Sequence, residues 1–248
     1  MRVDVTDPDD ERLDPYRSLR GRPPDDATFV VEGVTTLRQA LDAGIRLRSA
    51  LVLPTRTGEV EHLGVPYHVA SREAFEVITG FDVHRGVLAI AERPPDRDAG
   101  ALLGVSRRVL AIEGVADSAN VGSLFRNAAA LGADAVVLDP TCCDPLLRRA
   151  VRVSIGTVLR VPFARVADWP HGLRGHGLEV LALTPGGDTD LGTLDPPERW
   201  ALVVGTEGDG LSAAALAAAD MRVRIPMSSG VDSVNVATAA AIALYSLS

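Results

Sequence analysis

Strand-like and helix-like segments alternate through the second half of the chain, and this alternation constrains the fold more than any other feature. Apolar runs of strand length are followed by segments in which apolar residues recur with helical spacing. Because parallel strands need long connections, usually helices, the pattern predicts an α/β domain with a mostly parallel sheet covered on both faces. The predicted strands span 108–114, 133–140, 178–185, 200–205 and 221–227, and the predicted helices span 118–132, 144–156, 211–220 and 233–248.

The first part of the chain contains a smaller α/β unit. Its predicted strands span 29–33, 49–54, 65–70 and 86–92, and its predicted helices span 35–44 and 71–80. The stretch 93–108 follows, and its two prolines, two glycines and mixed charge are typical of a linker. The predicted boundaries are 1–98 for the first domain, with 1–13 flexible, 99–107 for the linker and 108–248 for the second domain.

The composition argues against several classes of protein. A net charge of −8 disfavours non-specific binding to nucleic acid, although every cationic side chain is an arginine, the better bidentate phosphate ligand. No apolar stretch reaches the roughly 18 residues of a membrane span, and the acidic N-terminus is unlike a targeting peptide, so we expect a cytoplasmic protein. The adjacent Cys142 and Cys143 lack metal-ligand spacing, so we expect reduced thiols and no metal.

The predicted helix 118–132 has one apolar face and one polar face. Asn120 and Arg126 lie on the polar face, and no acidic residue flanks Arg126. Surface helices usually surround an arginine with acidic residues at i±4. The helix itself leaves two interpretations open, a solvated face and a surface that receives an anion.

Two further loops follow predicted strands, where ligands of open α/β sheets gather. The segment 203–212 is glycine-rich and contains Glu207, and the segment 224–241 contains Ser233 and Asn235. The first segment can also be interpreted as an ordinary glycine-rich turn before a helix, and the second as an ordinary helix cap. Neither has the G-x-G-x-x-G spacing of a dinucleotide site, which argues against a nucleotide-dependent oxidoreductase.

Taken together and in order, these three segments resemble the SpoU family of ribose 2′-O-methyltransferases, within the SPOUT superfamily. The first motif is N-x-G-x-x-x-R-N, at Asn120, Gly122, Arg126 and Asn127, and the second is G-x-E-x-x-G, at Gly205, Glu207 and Gly210. The third is I-P-M through S-L-N-V, at Ile225, Pro226, Met227, Ser233, Asn235 and Val236. In the third motif, Val234 stands where the family usually has leucine.

The first domain resembles the L30e-like RNA-binding domain that precedes many SpoU domains. The resemblance lies in F-V-V-E-G and H-R-G-V-L-A, with Arg85 where the family more often has glutamine. For the second domain the resemblance implies a C-terminal deep trefoil knot and a homodimer formed through it. Strand–helix alternation alone would have suggested an ordinary doubly wound sheet, because knots are rare.

The resemblance also implies a reaction, in which a methyl group passes from S-adenosylmethionine to a ribose 2′-hydroxyl, with ribosomal RNA favoured. Transfer RNA and a non-catalytic RNA-binding role are the alternatives. The implied cofactor-binding residues are Leu183, Thr184, Gly205, Ile225, Met227 and Val234. The implied catalytic residues are Arg126, Asn120, Glu207, Ser233 and Asn235.

Arg126 is the centre of this implied site. Its very high intrinsic pKa favours positioning of phosphate and ribose over general-base chemistry. Arg152 and Arg85 are the implied RNA contacts. For Arg148 and Arg149, exposure on a solvated helix face is as good an interpretation as contact with RNA.

Overall fold

The computed structural model describes residues 1–17, 19, 26–80, 85–206, 208–230 and 233–248. In these ranges the strands are β1 Arg2–Asp4, β2 Thr28–Glu32, β3 Leu47–Val52, β4 Tyr67–Val69, β5 Val87–Glu92, β6 Arg108–Ile112, β7 Ala135–Leu138, β8 Phe163–Arg165, β9 Glu179–Leu183, β10 Thr189–Asp190, β11 Trp200–Val204 and β12 Met221–Arg224. The α-helices are α1 Val34–Asp42, α2 Arg72–Thr79, α3 Ala99–Val105, α4 Ser118–Ala130, α5 Arg148–Val153, α6 Ala213–Ala218 and α7 Val236–Ser246.

The chain divides into two compact units. Unit 1 combines Met1–Pro95 with Pro145–Leu159, and unit 2 combines Asp96–Asp144 with Arg160–Ser248. The sequence placed Pro145–Leu159 in the second domain, whereas in the structure α5 packs on β2 of unit 1. The domain boundaries of 1–98, 99–107 and 108–248 stay a prediction.

Unit 1 is built on a mixed five-stranded sheet in the order β1-β4-β3-β5-β2. Strands β1, β4 and β3 run parallel, and β5 runs antiparallel to β3 and β2. The segment 1–13, expected to be flexible, contains β1 and the start of a 3-10 helix at Glu11–Tyr16. Leu13 and Tyr16 lie three residues apart, on one side of that helix, and both are buried in the core of the unit.

Unit 2 is built on a seven-stranded parallel sheet in the order β10-β12-β9-β11-β6-β7-β8. The predicted mostly parallel α/β sheet is therefore confirmed. Helices cover both faces: α3 and α6 contribute Leu103 and Ala215 to one core, whereas Phe125 of α4 packs edge-on against Phe163 on the opposite face. The short edge strands β8 and β10 were not predicted.

The predicted linker, 99–107, contains the helix α3. Asp98 caps it, because its Oδ1 accepts a hydrogen bond of 2.6 Å from the amide of Ala101. Leu103 is buried, and the Arg199 guanidinium donates to the carbonyls of Gly104 and Ser106 at the other end of the helix. This segment is thus a packed element of unit 2. Over the described ranges, none of the helices is both long and apolar enough to cross a membrane.

Candidate active site

A cavity of about 760 Å³ lies in unit 2 at the carboxyl ends of β9, β11 and β12. All six residues predicted to bind the cofactor line it, and so do the predicted catalytic residues Ser233 and Asn235. These six residues are Leu183, Thr184, Gly205, Ile225, Met227 and Val234. The volume is within the range of about 300 to 1,000 Å³ typical of small-molecule sites. The lining combines glycines and apolar side chains with polar residues, which are Thr184, Thr206, Asp209, Ser233 and Asn235.

Gly205 is required at the floor of this cavity by a close approach of two backbone segments. A Cβ atom added there would lie 2.5 Å from the carbonyl carbon and oxygen of Gly210. Thr206 and Gly210 form an isolated bridge, which folds the loop back on itself directly after β11. Any larger side chain at position 205 would force these segments apart and change the shape of the cavity.

Glu113, which the sequence analysis missed, fixes the far end of the same loop. Its buried carboxylate accepts hydrogen bonds from the Ser212 amide at 2.9 Å, the Ser212 hydroxyl at 2.7 Å and the Trp169 indole N–H at 2.8 Å. The Ser212 hydroxyl oxygen also accepts from the amide of Ala215 and so caps α6. Because Gly210 and Leu211 line the cavity, Glu113 controls the position of one cavity wall. The one sequence signal that could have identified Glu113 is its position at the end of β6.

Asn235 connects the cavity to helix α4. Its Oδ1 caps α7 by accepting from the amides of Ala237 at 2.9 Å and Thr238 at 3.3 Å. Its Nδ2 donates to Oδ1 of Asn120 at 3.0 Å. The interpretation of Asn235 as a helix cap and its predicted place in the site are therefore compatible.

Arg126 lies on the exposed face of α4, the helix that also carries Asn120. The next residue, Asn127, donates from Nδ2 to the carbonyl of Ala237 at 2.7 Å and ties α4 to α7. Within the described part of the chain, no hydrogen bond or ion pair occupies the Arg126 guanidinium. Neither Arg126 nor Asn120 lines the cavity, and Glu207 lies outside the described residues.

The two predicted RNA-contacting arginines belong to unit 1. Arg152 of α5 lies 3.7 Å from the carboxylate of Glu32, measured from Nη1 to Oε1. Arg85 is exposed, and its side chain lies over Gly33, where an added Cβ would come within 2.6 Å of the Arg85 Cδ. The structure thus places both arginines beside the end of β2.

The cysteines of unit 2 are poorly suited to nucleophilic chemistry. Burial raises the pKa of Cys142 to about 12, and burial together with the Asp144 carboxylate raises that of Cys143 to about 11. A thiol with such a pKa is almost entirely protonated at neutral pH and therefore unreactive. No group of three or more His, Cys, Asp or Glu side chains suited to a metal ion occurs among the described residues.

Comparisons with known proteins bear on the same region of the chain. The model of the SpoU rRNA Methylase family matches residues 107–245. A protein from Mycobacterium bovis named as an uncharacterized tRNA/rRNA methyltransferase is 45% identical, over 98% of this chain and 90% of that protein. The 23S rRNA (guanosine(2553)-2′-O)-methyltransferase RlmP of Bacillus subtilis is 30% identical, over 89% of this chain and 88% of its own.

Among solved structures, the chain is similar to an AdoMet-bound rRNA methyltransferase from Sinorhizobium meliloti. The TM-score is 0.87 at 25% identity, and the match covers 99% of this chain and 97% of the other. The family model spans more than half of the chain, so the resemblance predicted from the three motifs is confirmed. The chain belongs to the SpoU rRNA methylase family.

Proposed function

We propose that this protein methylates a ribose 2′-hydroxyl of ribosomal RNA, with S-adenosylmethionine as the methyl donor, in the cytoplasm. The observation that carries the proposal is the cavity itself, which gathers all six predicted cofactor-binding residues from three strand ends and from the segment before α7. Asn235 joins that cavity to Asn120, on the helix that presents Arg126. The similarity to RlmP, named as a 23S rRNA 2′-O-methyltransferase, supports the choice of ribosomal RNA.

The reaction forms a bond between the ribose O2′ and the methyl carbon, breaks the methyl–sulfur bond, and releases S-adenosylhomocysteine and the hydroxyl proton. The methyl donor supplies an electrophilic carbon on a positively charged sulfur. The cavity's glycines let backbone amides approach a flat adenine ring, and Ile225 and Met227 offer apolar surface. Binding of the donor is thus assigned mainly to the backbone of unit 2.

Arg126 positions the RNA. A guanidinium offers five N–H donors in a planar fork that matches phosphate oxygens, and it keeps its proton at neutral pH. The exposed Arg126 side chain has its donors available for such a group. Asn120, fixed by Asn235, aligns the ribose on the same helix face, and Ser233 and Glu207 are assigned the same aligning role. A weak nucleophile such as a hydroxyl reacts fastest when it is held in line with the methyl group.

The decisive variant is Arg126→Ala in the full chain. We expect the rate of methyl transfer to a 23S ribosomal RNA transcript to fall by about 100-fold or more, as for loss of one charged transition-state contact. The dissociation constant for S-adenosylmethionine, measured by calorimetry, should not change. Arg107→Ala is the matched control, because Arg107 is an exposed arginine of the same unit, paired with Glu198 at 2.8 Å.

Full activity of Arg126→Ala would overturn the role given to this residue. The target is tested by mapping 2′-O-methyl groups in ribosomal and transfer RNA from cells with and without the gene. A methyl group lost from transfer RNA alone would contradict the ribosomal assignment. Loss of none, together with intact RNA binding, would favour a non-catalytic protein.

The proposal includes a homodimer formed through a knotted unit 2. Helix α7 supports it, because Ile242 and Tyr245 are 40% and 72% exposed on the side away from the core. Apolar side chains grouped on one helix face commonly mark an interface. Light scattering should give the mass of two chains, and a mass of one chain would contradict the dimer.

A further inference from the structure

Glu32, at the end of β2, is a buried carboxylate shared by two arginines of unit 1. Its side chain is only 6% exposed. Oε2 accepts a hydrogen bond from Nη1 of Arg148 at 2.9 Å, and Oε1 lies 3.7 Å from Nη1 of Arg152. Arg148 and Arg152 are four residues apart, which places both on one face of α5.

The side chains of the two arginines differ in how much of each is exposed to solvent. The Arg148 side chain is 17% exposed and forms the short hydrogen bond, whereas the Arg152 side chain is 40% exposed and lies at the longer distance. Arg148 is therefore the anchor. Arg152 is attracted to the carboxylate on one side and presents its remaining N–H groups to solvent.

The segment around α5 is held against α1 and β2 by close packing, so the position of Arg152 is defined. Gly156 follows α5 with a φ of +82°, and a Cβ there would come within 2.8 Å of Cβ of Gln39 on α1. Arg85 lies over Gly33, the residue after Glu32. Two exposed arginines, Arg152 and Arg85, thus lie beside the end of β2, where the Glu32 carboxylate is buried.

We propose that Glu32 is a positioning residue for RNA: it holds Arg152 so that its exposed N–H groups, with those of Arg85, receive backbone phosphates. The inference rests on the proposed function and gives Glu32, the glutamate of F-V-V-E-G, a role that the resemblance does not imply. Two guanidiniums around one carboxylate leave a net positive charge for a polyanion. A side chain held in its binding conformation loses less entropy when the phosphate arrives, which increases affinity.

The test compares RNA affinity with cofactor affinity in the full-length protein. Glu32→Asp keeps the charge but withdraws the carboxylate by one methylene. We expect the dissociation constant for a 23S ribosomal RNA transcript to rise about threefold to tenfold, since preorganisation is lost. The dissociation constant for S-adenosylmethionine and kcat at saturating RNA should stay unchanged.

Glu92→Asp is the matched control. Glu92 also lies near two arginines of unit 1, Arg46 at 3.6 Å and Arg48 at 3.7 Å, but it is 36% exposed. It pairs with Thr28, at the opposite end of β2 from Glu32. We expect this variant to bind the transcript like the wild type.

The isosteric Glu32→Gln gives a second test, which separates positioning from simple charge. Removing a negative charge should strengthen RNA binding if only the overall field matters, whereas loss of positioning should weaken it. In an Arg152→Ala background, neither Glu32 variant should weaken binding further, because the two residues act as one unit.

Unchanged RNA affinity in both Glu32 variants would overturn the positioning role while leaving the proposed function intact. Effects that multiply independently with Arg152→Ala would also overturn it. A wild-type protein that does not bind the transcript would instead overturn the proposed function, and this inference with it.

Discussion

Glu113 in unit 2 and Glu32 in unit 1 are both buried carboxylates at the end of a strand, but their partners differ. Glu113 accepts three hydrogen bonds from uncharged groups, all between 2.7 and 2.9 Å. Glu32 is compensated by two guanidiniums, of which only one is within hydrogen-bonding distance. The first arrangement immobilises a loop beside the cavity, whereas the second orients side chains that stay partly in solvent.

The difference lies in how strongly each arrangement depends on geometry. A buried charge without a counter-ion is stable only while its hydrogen bonds are made, so the loss of one donor is costly. An ion pair at a longer distance relies on Coulomb attraction, which falls gradually with separation. The comparison implies that changes at Glu113 act on folding and the cofactor, and changes at Glu32 act mainly on RNA.

The largest effect is expected for Glu113→Gln. The amide group would direct an N–H toward the Ser212 or Trp169 donors, leaving buried donors unpaired at a cost of about 2 to 4 kcal/mol. We expect the free energy of unfolding, measured by urea denaturation, to fall by that amount. The dissociation constant for S-adenosylmethionine should rise about tenfold, because the loss of these hydrogen bonds also loosens the loop that forms one wall of the cavity.

Wild-type cofactor affinity in Glu113→Gln would contradict this comparison, because Glu113 would then stabilise the fold without affecting the cofactor cavity. Glu179→Gln is a suitable control, because Glu179 is an exposed carboxylate at the start of a strand in the same sheet.

A smaller effect is expected for Ser212→Ala. The variant loses one donor to Glu113 and the cap of α6, and loss of such a cap costs about 1 kcal/mol. Combined with Glu113→Gln, the two losses should be less than additive in urea denaturation, because both residues belong to one network. Strict additivity would show that Ser212 acts only as a cap.

Asp139 sharpens the comparison, because it is a third buried carboxylate whose donors come mostly from its own loop. Burial raises the pKa of Asp139, but hydrogen bonds from Cys142, Thr141 and Gly114 lower it by more, so the net pKa is below the usual value. A lowered folded-state pKa contributes stability that is present above the unfolded pKa of about 3.9 and is lost as pH falls below it.

The smallest effect is therefore expected for Asp139→Asn. At neutral pH it should destabilise the protein by about 1 kcal/mol, the typical net value of one hydrogen bond. The difference in the free energy of unfolding between wild type and variant should narrow as the pH falls below about 4, where the unfolded carboxylate takes up a proton. It should be lost once the folded carboxylate, with its lower pKa, is protonated too. Urea denaturation from pH 3 to pH 7 measures this, and a gap that widens toward low pH would contradict the assigned shift.

Local sequence information pointed to two of the loops that line the cavity. Gly205 and Ile225 each lie directly after the end of a strand, so their loops could be recognised separately and placed at one sheet edge. The order of the helix 118–132 and these two loops supplied the family resemblance, and only that resemblance pointed to Leu183. The parallel sheet followed from the alternation of elements.

The missed features depend on distant partners or on very short elements. Glu113 meets Ser212 across 99 residues, and Arg148 meets Glu32 across 116, which no local pattern records. Helix α3 has seven residues and only Asp98 as a starting signal, in a stretch whose glycines and prolines suggested a linker. Strand β10 has two residues, too few for alternation to be visible.

The hydrogen bond between Asn120 and Asn235 has a consequence for the order in which the protein becomes active. The partners are 115 residues apart, and Asn235 is the cap of α7, which packs on α4. On the ribosome the chain is made from the N-terminus, and segments fold as they emerge. The strands β6 to β12 are synthesised before Asn235, so the face of α4 that carries Asn120 and Arg126 is completed only after α7 has been made. During synthesis, a partly made chain could therefore expose its arginines to RNA without being able to modify it.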